Sequence, residues 1–281
     1  MREKSLSIDG TSIAYQYYPG DDALTPIFYI HGWLDNAASF SPLVPLLANH
    51  PGYAFDLPGH GHSRHLPAFG YYHFIDGVSL SIAFIKAITE RPFILVGHSL
   101  GGCLASIIAG SIPEQIEKLI LLDAIGPLTT DADQCAIQYQ KYLKQHAKVK
   151  QRRPHNYPSI TAACKHRASQ GYISEVNVQA IVERGIIEDA KHQYNWRHDP
   201  RLLLPSPLKM SQMQVLAFLT QISAPTLLLN ASKGFKFNQA HYQQRIAAID
   251  NIKVHTIDAG HHLHIEAAQQ CAEYINDFIH R

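Results

Sequence analysis

The chain has 281 residues, of which 46% are hydrophobic and 17% are charged, and its formal net charge is +1. Globular proteins average about 25% charged residues, so this composition excludes a highly charged or disordered chain. The balanced charge gives no field that would attract nucleic acid, and no RNA- or DNA-binding motif is present. We expect a globular protein with a large hydrophobic core and no nucleic-acid partner.

The cysteines and the N-terminus bear on the compartment. Cys103, Cys135, Cys164 and Cys271 are scattered without a CxxC pair, a pattern that favours free thiols over a disulfide framework or a zinc site. The first ten residues contain charges and no apolar segment of the kind found in signal peptides. No apolar run approaches the roughly 20 residues that a membrane span requires. We predict a cytoplasmic protein without a transmembrane segment.

The first part of the chain alternates short apolar runs with helical segments, which is the pattern of a parallel sheet with helices on its faces. Strands are predicted at 11–18, 25–32, 52–63, 91–99 and 116–127, the third running into a turn-rich loop, and helices at 74–89 and 99–113. Ligands in open α/β sheets bind at the carboxyl ends of the strands. Polar residues at those ends are therefore the first candidates for a functional site.

The pattern changes after residue 127. Strand signals fade, and Gln, Lys, His and Tyr recur at spacings compatible with several helices up to a Pro-bearing segment at 202–209. Strands at 224–232 and 251–260 and a helix at 264–280 then restore the earlier pattern. We predict an α/β core made of residues 1–127 and 216–281, interrupted by a helical cap at 128–215.

The strongest local motif is GxSxG, formed by Gly97, His98, Ser99, Leu100 and Gly101. It lies where a predicted strand ends and a predicted helix begins, the context that a nucleophile elbow requires. Such a turn holds its serine in a strained conformation, and glycines let the strand and helix approach closely. The helix N-terminus also directs N–H groups at a developing oxyanion. Ser99 is the candidate nucleophile, and the main-chain N–H of Leu100 is a candidate oxyanion donor.

His31, Gly32 and Trp33 follow the predicted strand at 25–32. Enzymes with a nucleophile elbow draw a second oxyanion donor from the loop at the end of a neighbouring strand. We assign this role to the main-chain N–H of Trp33. The alternative is that these residues form only a strand-ending turn.

A general base is expected near the C-terminus. His261 follows Gly260 between the last predicted strand and the last predicted helix, so its ring can reach over the strand ends. A neutral imidazole can accept the proton of a serine and return it to a leaving group. The chain has 18 histidines, and His262 and His264 compete for this role. The position directly after glycine favours His261.

The order of these segments resembles the α/β-hydrolase superfamily. A strand, HGW, DLPGHGHS, GHSLGG, a cap and GHHLHIE follow one another across essentially the whole chain outside the cap. The segments 31–40, 119–124 and 197–202 resemble the branch called serine hydrolase-like proteins. The resemblance implies an α/β-hydrolase fold with a mostly parallel central sheet, helices on both faces and an inserted helical cap. It also implies hydrolysis of esters or related acyl compounds, a structural role for Asp56 with residues 59–63, and no cofactor or metal.

The third member of a catalytic triad departs from the superfamily pattern. Members often carry the acid just after the strand that corresponds to 224–232, but residues 233–249 contain no carboxylate. Some members carry it after the preceding core strand, where this chain has Asp123. The order Ser99, Asp123, His261 keeps the chain order of the fold. The alternatives are that Asp123 only caps its strand, or that Asp250 or Asp258 is the acid.

The cap carries two further patterns. Its basic run consists of Lys141, Lys144, Lys148, Lys150, Arg152 and Arg153. Such a run is usually a solvated helix face, and the alternative is a rim that attracts anionic substrates or lipid headgroups. The cap aromatics are Tyr139, Tyr142, Tyr157, Tyr172, Tyr194 and Trp196. They are candidates to line a substrate cavity, although aromatics at helical spacing are more often ordinary packing.

Together the motifs predict a serine hydrolase that acts on a small ester or acyl substrate through an acyl-enzyme. Serine at position 99 argues against dehalogenase or epoxide-hydrolase chemistry, which uses a carboxylate nucleophile on the same fold. Carbon–carbon bond hydrolysis and perhydrolysis remain open, because both use a serine triad on this fold. A non-catalytic binding protein also remains open, and its main support is the missing carboxylate after 224–232.

Overall fold

The computed structural model describes residues 1–68, 70–149, 155–170 and 173–281. The strands of these residues are β1 (Arg2–Ile8), β2 (Thr11–Tyr18), β3 (Ile27–Ile30), β4 (Gly52–Phe55), β5 (Phe93–His98), β6 (Ile116–Leu122), β7 (Ile186–Glu188), β8 (Tyr194–Trp196), β9 (Thr226–Lys233) and β10 (Ile252–Gly260). The helices are α1 (Phe74–Lys86), α2 (Leu100–Ser111), α3 (Cys135–Val149), α4 (Ile160–Ser169), α5 (Gln179–Gly185), α6 (Gln212–Leu219), α7 (Gln239–Ala247), α8 (Leu263–Glu266) and α9 (Ala268–His280).

Eight of these strands form one sheet in the order β1-β2-β4-β3-β5-β6-β9-β10. The pairs β1–β2 and β2–β4 are antiparallel, and from β4 to β10 every neighbouring pair is parallel. The parallel strands therefore direct their carboxyl ends to one edge of the sheet. The mostly parallel sheet predicted from the sequence is confirmed.

Strand β1 was not predicted. Its side chains are mostly exposed, so it lacks the buried apolar face that marks a strand in a sequence. The turn that joins it to β2 consists of Asp9 and Gly10, which both have positive φ values of 47° and 78°. Asp-Gly at a two-residue turn is a strong hairpin signal in a sequence, so this dipeptide could have indicated the strand that precedes it.

Helices cover both faces of the sheet. Side chains alternate between the two faces along each strand, so neighbouring residues of one strand pack into different clusters. On one face Phe28 and Ile30 of β3 belong to a core cluster that includes buried residues of α1, α2 and α6. On the other face Ile27 and Tyr29 belong to a second cluster that includes α9. The strands that carry the site residues are therefore buried on both sides.

The segment between β6 and β9 contains α3, α4 and α5 and a two-stranded sheet of β7 and β8. It has a small apolar cluster of its own, which includes Tyr157, Ala163 and Ile181. A buried ion pair ties it to the core, since Arg184 of α5 lies 2.9 Å from Asp56. Asp56 also accepts hydrogen bonds from main-chain N–H groups of the surrounding loops.

The predicted boundary of the cap at residue 215 falls inside α6. Val215 and Leu219 of this helix are buried in the same core cluster as residues of α1 and α2. In the basic run, Lys141, Lys144 and Lys148 are exposed on α3, as on a solvated helix face. The remaining members of the run, Lys150, Arg152 and Arg153, lie outside the described residues.

Across the ranges listed above, none of the helices combines the length and apolar character needed to span a membrane.

Candidate active site

Ser99 lies in a sharp turn between β5 and α2. Its φ is 52° and its ψ is −116°, a strained conformation for a residue with a side chain. The turn requires glycine on both sides: a Cβ at Gly97 would lie 2.4 Å from the carbonyl oxygen of Gly101, and one at Gly101 would lie 1.9 Å from that of Ile30. The structure therefore has the elbow geometry that the GxSxG motif predicts.

His261 contacts Ser99 directly. Its Nε2 lies 2.8 Å from Ser99 Oγ, which is hydrogen-bonding distance. On the opposite side of the ring, Nδ1 lies 2.5 Å from Asp123 Oδ2. A carboxylate can only accept in this contact, so Nδ1 carries the proton and Nε2 is left as an acceptor for the serine hydroxyl. The structure brings Ser99, His261 and Asp123 together in one hydrogen-bonded chain.

Asp123 follows β6 directly and is buried, with a positive φ of 50°. Its Oδ1 accepts a hydrogen bond from the N–H of Ala231 and its Oδ2 accepts one from the N–H of Phe235, each at 3.0 Å. A Cβ at Gly234 would lie 2.2 Å from Asp123 Oδ2. The end of β9 and the loop after it, where the superfamily often carries its acid, thus close around a carboxylate supplied from the end of the neighbouring strand β6.

The competing acids have other surroundings. Asp258 is 78% exposed, and its carboxylate contacts Ser232 and Lys233. Asp250 is exposed in the turn that follows α7. The contact with His261 Nδ1 belongs to Asp123 alone among these three carboxylates.

The competing histidines also point elsewhere. His262 Nε2 lies 3.0 Å from Asp35 Oδ2. His264 is buried, and its ring centroid lies 4.2 Å from that of His98. Burial among these groups lowers the pKa of His264 well below its usual value. Neither histidine takes the place of His261 beside Ser99.

The two predicted oxyanion donors come from two different segments of the chain. Leu100 is the first residue of α2, and Trp33 follows the end of β3 by three residues. Within the described part of the chain, neither main-chain N–H donates to another protein group. The Trp33 indole is fixed by a hydrogen bond of 2.9 Å from its Nε1 to the carbonyl oxygen of Leu202.

Trp33 and Leu100 both line a cavity of about 430 Å³. Its walls come from the loops after β3 and β4, from α1 and α2, and from the cap. Apolar side chains that line it are Leu57, Leu66, Phe74, Leu80, Leu104, Leu202 and Leu204. The sequence analysis did not identify this lining, because its members are far apart in the chain and have the periodicity of ordinary core residues.

Of the cap aromatics, Tyr142 lines this cavity. Tyr157 and Trp196 pack inside the cap, where the indole N–H donates to the Tyr157 hydroxyl at 3.0 Å. Tyr194 packs against the same cap cluster, and Tyr139 is exposed. Tyr172 lies outside the described residues.

A second polar network lies beside the site. The Asp35 carboxylate accepts a hydrogen bond of 2.9 Å from Arg167 of the cap helix α4 through Oδ1 and contacts His262 through Oδ2. Burial would raise the pKa of Asp35, but His262, Arg167 and His98 outweigh it and hold that pKa well below its usual value. These partners are 132 and 227 residues away from Asp35 in the chain, so sequence reasoning missed them.

Comparison with known proteins agrees with this architecture. Residues 27–274 match the family model described as "Alpha/beta hydrolase family". The chain belongs to the alpha/beta hydrolase family. A serine hydrolase-like protein of Dictyostelium discoideum is 31% identical over 96% of this chain and 79% of its own length. A probable serine hydrolase of Drosophila melanogaster is 30% identical over 99% of this chain and 87% of its own length.

The alpha/beta hydrolase fold is also found by comparison with solved structures. The crystal structure of a hypothetical protein from Pseudomonas aeruginosa PAO1 superposes with a TM-score of 0.93 at 31% identity, and each chain is covered completely. The predicted fold and the predicted resemblance to serine hydrolase-like proteins are both confirmed.

Proposed function

We propose that this alpha/beta hydrolase is a serine ester hydrolase that works through an acyl-enzyme. The observation that carries the proposal is the chain of contacts from Ser99 Oγ to His261 Nε2 and from His261 Nδ1 to Asp123. This arrangement of nucleophile, base and orienting acid is the one that activates serine in hydrolases of unrelated folds. Hydrolase names among similar proteins support the same class.

In the proposed reaction Ser99 Oγ attacks the ester carbonyl carbon while its proton passes to His261 Nε2. The carbonyl oxygen becomes an oxyanion held by the main-chain N–H groups of Trp33 and Leu100. Collapse of the intermediate breaks the bond to the alcohol, which leaves with the proton from His261. Water then attacks the acyl-enzyme, again giving its proton to His261, and the carboxylic acid departs as Ser99 regains its proton.

The proposed substrates are small esters with an apolar acyl or alcohol part. The cavity beside Trp33 and Leu100 is lined mainly by leucine, proline and aromatic side chains, which favour an alkyl or aryl group over a charged one. Its volume of about 430 Å³ is in the range of small-molecule sites. Carbon–carbon hydrolase and perhydrolase activities use the same triad, so an ester panel tests the choice among them.

The alternative of a non-catalytic binding protein depended on the absent carboxylate after β9. Asp123 occupies the position behind His261, so that argument no longer favours a binding protein. The predicted cytoplasmic location remains a prediction, and the four free thiols agree with a reducing compartment.

The first test is Ser99→Ala with a fluorophosphonate probe and a panel of aryl esters. We expect loss of labelling and loss of ester hydrolysis, because the variant has no oxygen to form the acyl-enzyme. Its circular dichroism spectrum and melting temperature should match those of the wild type. Labelling or hydrolysis at the wild-type rate in this variant would refute the proposal, as would an unreactive wild-type protein.

A further inference from the structure

A buried cluster of metal-ligating side chains lies next to the triad, where the ring centroid of His98 is 4.8 Å from that of His261. It consists of Asp35, His98 and His262, and their side chains are 2%, 0% and 4% exposed. One ligating atom from each of the three side chains can be chosen so that all three atoms lie within 4.8 Å of one another. The mechanism proposed above uses none of these side chains.

The hydrogen bonds of His98 define which of its nitrogens can bind a cation. Its Nε2 lies 2.9 Å from the main-chain carbonyl oxygen of His261. A carbonyl can only accept, so Nε2 carries the proton and Nδ1 of the neutral ring carries a lone pair.

His98 Nδ1 has no hydrogen-bond partner among the described residues, although it is completely buried. It faces Asp35 Oδ2 at 3.7 Å, which is too long for a hydrogen bond. A buried lone pair directed at a carboxylate is unfavourable unless a positive charge lies between them. Gly32 leaves space beside these two atoms because it has no side chain. A Cβ at this position would lie 3.0 Å from both Asp35 Oδ2 and His98 Nδ1.

We propose that Asp35, His98 and His262 form a binding site for a zinc-type divalent transition-metal ion, and that the bound ion inhibits the hydrolase. Two imidazoles and one carboxylate are ligands that zinc accepts in proteins, with a fourth position left for water. The inhibitory part rests on the proposed function, whereas the binding part does not.

The two separations from Asp35 Oδ2 suit such an ion. With metal–ligand bonds of about 2.1 Å, ligand atoms of a tetrahedral site lie roughly 3.4 Å apart. The observed separations from Asp35 Oδ2 are 3.0 Å to His262 and 3.7 Å to His98. His262 ligates through Nε2 in the tautomer that carries its proton on Nδ1. A histidine that binds a metal through one ring nitrogen usually donates a hydrogen bond from the other nitrogen. His98 does so from Nε2 to a main-chain carbonyl oxygen.

Arg167 controls access to the cluster. Its guanidinium binds Asp35 Oδ1 at 2.9 Å and leaves Oδ2 to the proposed ion. The Arg167 side chain is 16% exposed, so its displacement opens a path from the cap surface. Its positive charge also repels a divalent ion at this distance. Removal of Arg167 should therefore strengthen metal binding, while removal of a ligand should abolish it.

The bound ion would act on the triad through two short connections. His98 holds the main-chain carbonyl of His261, and His262 is the next residue in the chain. Gly32, on the other side of the cluster, precedes the proposed oxyanion donor Trp33. Shifts of these segments toward the ion move the general base and one oxyanion donor away from their positions around Ser99.

The test is a titration of the purified full chain with zinc, followed by calorimetry, and with cobalt, followed by its visible absorption. We expect one ion per chain and a visible spectrum of tetrahedral cobalt bound by nitrogen and oxygen. His262→Gln and Asp35→Asn should weaken zinc binding by at least about 100-fold, since even outer-shell changes cost metal sites about 10- to 100-fold. Arg167→Gln should tighten it by about tenfold.

The matched control is His192→Gln. His192 is 88% exposed and lies 2.6 Å from Glu188, so this pair is a surface site that could bind zinc instead. The control should bind zinc like the wild type. Absence of saturable binding, or binding that survives His262→Gln and disappears in His192→Gln, would overturn the site. Because Arg167→Gln is expected to gain affinity, unfolding of a ligand variant cannot imitate the full pattern.

Activity is measured separately, as aryl ester hydrolysis with and without zinc, and with a chelator added afterwards. Zinc should reduce the wild-type rate, and the chelator should restore it. One bound zinc with an unchanged rate would overturn the inhibitory role alone. A wild-type protein that binds zinc but hydrolyses no ester would contradict the proposed function and leave the metal site standing.

Discussion

Replacing Asp123 by asparagine is the sharpest test of the triad. The two oxygens of Asp123 accept three hydrogen bonds, from the N–H groups of Ala231 and Phe235 and from His261 Nδ1. An amide supplies one oxygen and one NH₂ group in the same space. In either orientation of the amide, its NH₂ group faces an N–H donor that was hydrogen-bonded to the carboxylate in the wild type.

The orientation of the amide determines the damage. If the NH₂ group faces His261, it forces the proton of the imidazole onto Nε2, and the ring can no longer accept the proton of Ser99. The same substitution lowers kcat by about 10⁴-fold in a serine protease, which is roughly 5.5 kcal/mol of transition-state stabilisation. If the NH₂ group faces Ala231 instead, the unpaired buried donors cost about 1–3 kcal/mol of stability.

The assay is kcat for an aryl ester, with urea unfolding measured on the same preparations. We expect Asp123→Asn to lose several orders of magnitude in kcat. Asp258→Asn is the matched control and should keep its activity, because Asp258 is 78% exposed and bound to Lys233. If Asp123→Asn keeps kcat within about tenfold of the wild type together with an unchanged free energy of unfolding, or if Asp258→Asn is the inactive variant, the assignment of the acid is wrong.

Two further predictions concern the cavity and a buried histidine. Leu80→Trp should shorten the cavity, and loss of space for two methylenes should lower kcat/KM for octanoyl relative to acetyl esters by about tenfold, at roughly 0.8 kcal/mol per methylene. His60 is buried, and burial lowers its pKa to about 3. In the unfolded chain His60 binds a proton below about pH 6.5, whereas in the folded protein it does so only near pH 3. The free energy of unfolding should therefore fall by about 1.4 kcal/mol for each unit by which the pH is lowered from 6 to 4, and urea unfolding would detect this change.

Each of these predictions has a control in the chain. Leu143→Trp on the exposed face of α3 should leave the acyl-chain preference unchanged, and an equal effect of both tryptophans would contradict the cavity assignment. For the pH dependence, His60→Asn should flatten the curve while His192→Gln, at an 88% exposed site, should not. Identical slopes for wild type and His60→Asn would show that His60 titrates normally in the folded protein.

The sequence predicted the elements whose signals are local. Strand β5, which leads into the elbow, is a short apolar run, and the glycines at 97 and 101 mark two positions of the turn where a Cβ would clash with the main chain. The strand end at Asp123 could be located because the run from Ile116 to Leu122 is continuously apolar near its end. The same local features indicate the three residues of the proposed triad.

Features formed by long-range contacts could not be predicted in the same way. Nothing near Asp35 in the chain indicates that it meets Arg167 and His262, since those contacts depend on how the cap and the last loop pack. The leucines of the cavity have the same hydrophobicity as other core leucines, and only the fold shows which of them line the cavity. Strand β1 was missed for the opposite reason, because its exposed side chains give no hydrophobic signal.

Because the proposed acid follows β6, the loop after β9 does not have to supply a catalytic side chain. The end of β9 and this loop contribute to Asp123 only main-chain N–H groups, from Ala231 and Phe235, and a glycine at 234 that makes room for the carboxylate. The side chains of Phe235 and Lys236 line a second, more polar pocket. Exchange of those side chains, in evolution or in the laboratory, can alter what this side of the molecule recognises while the acid stays anchored to the strand beside the nucleophile.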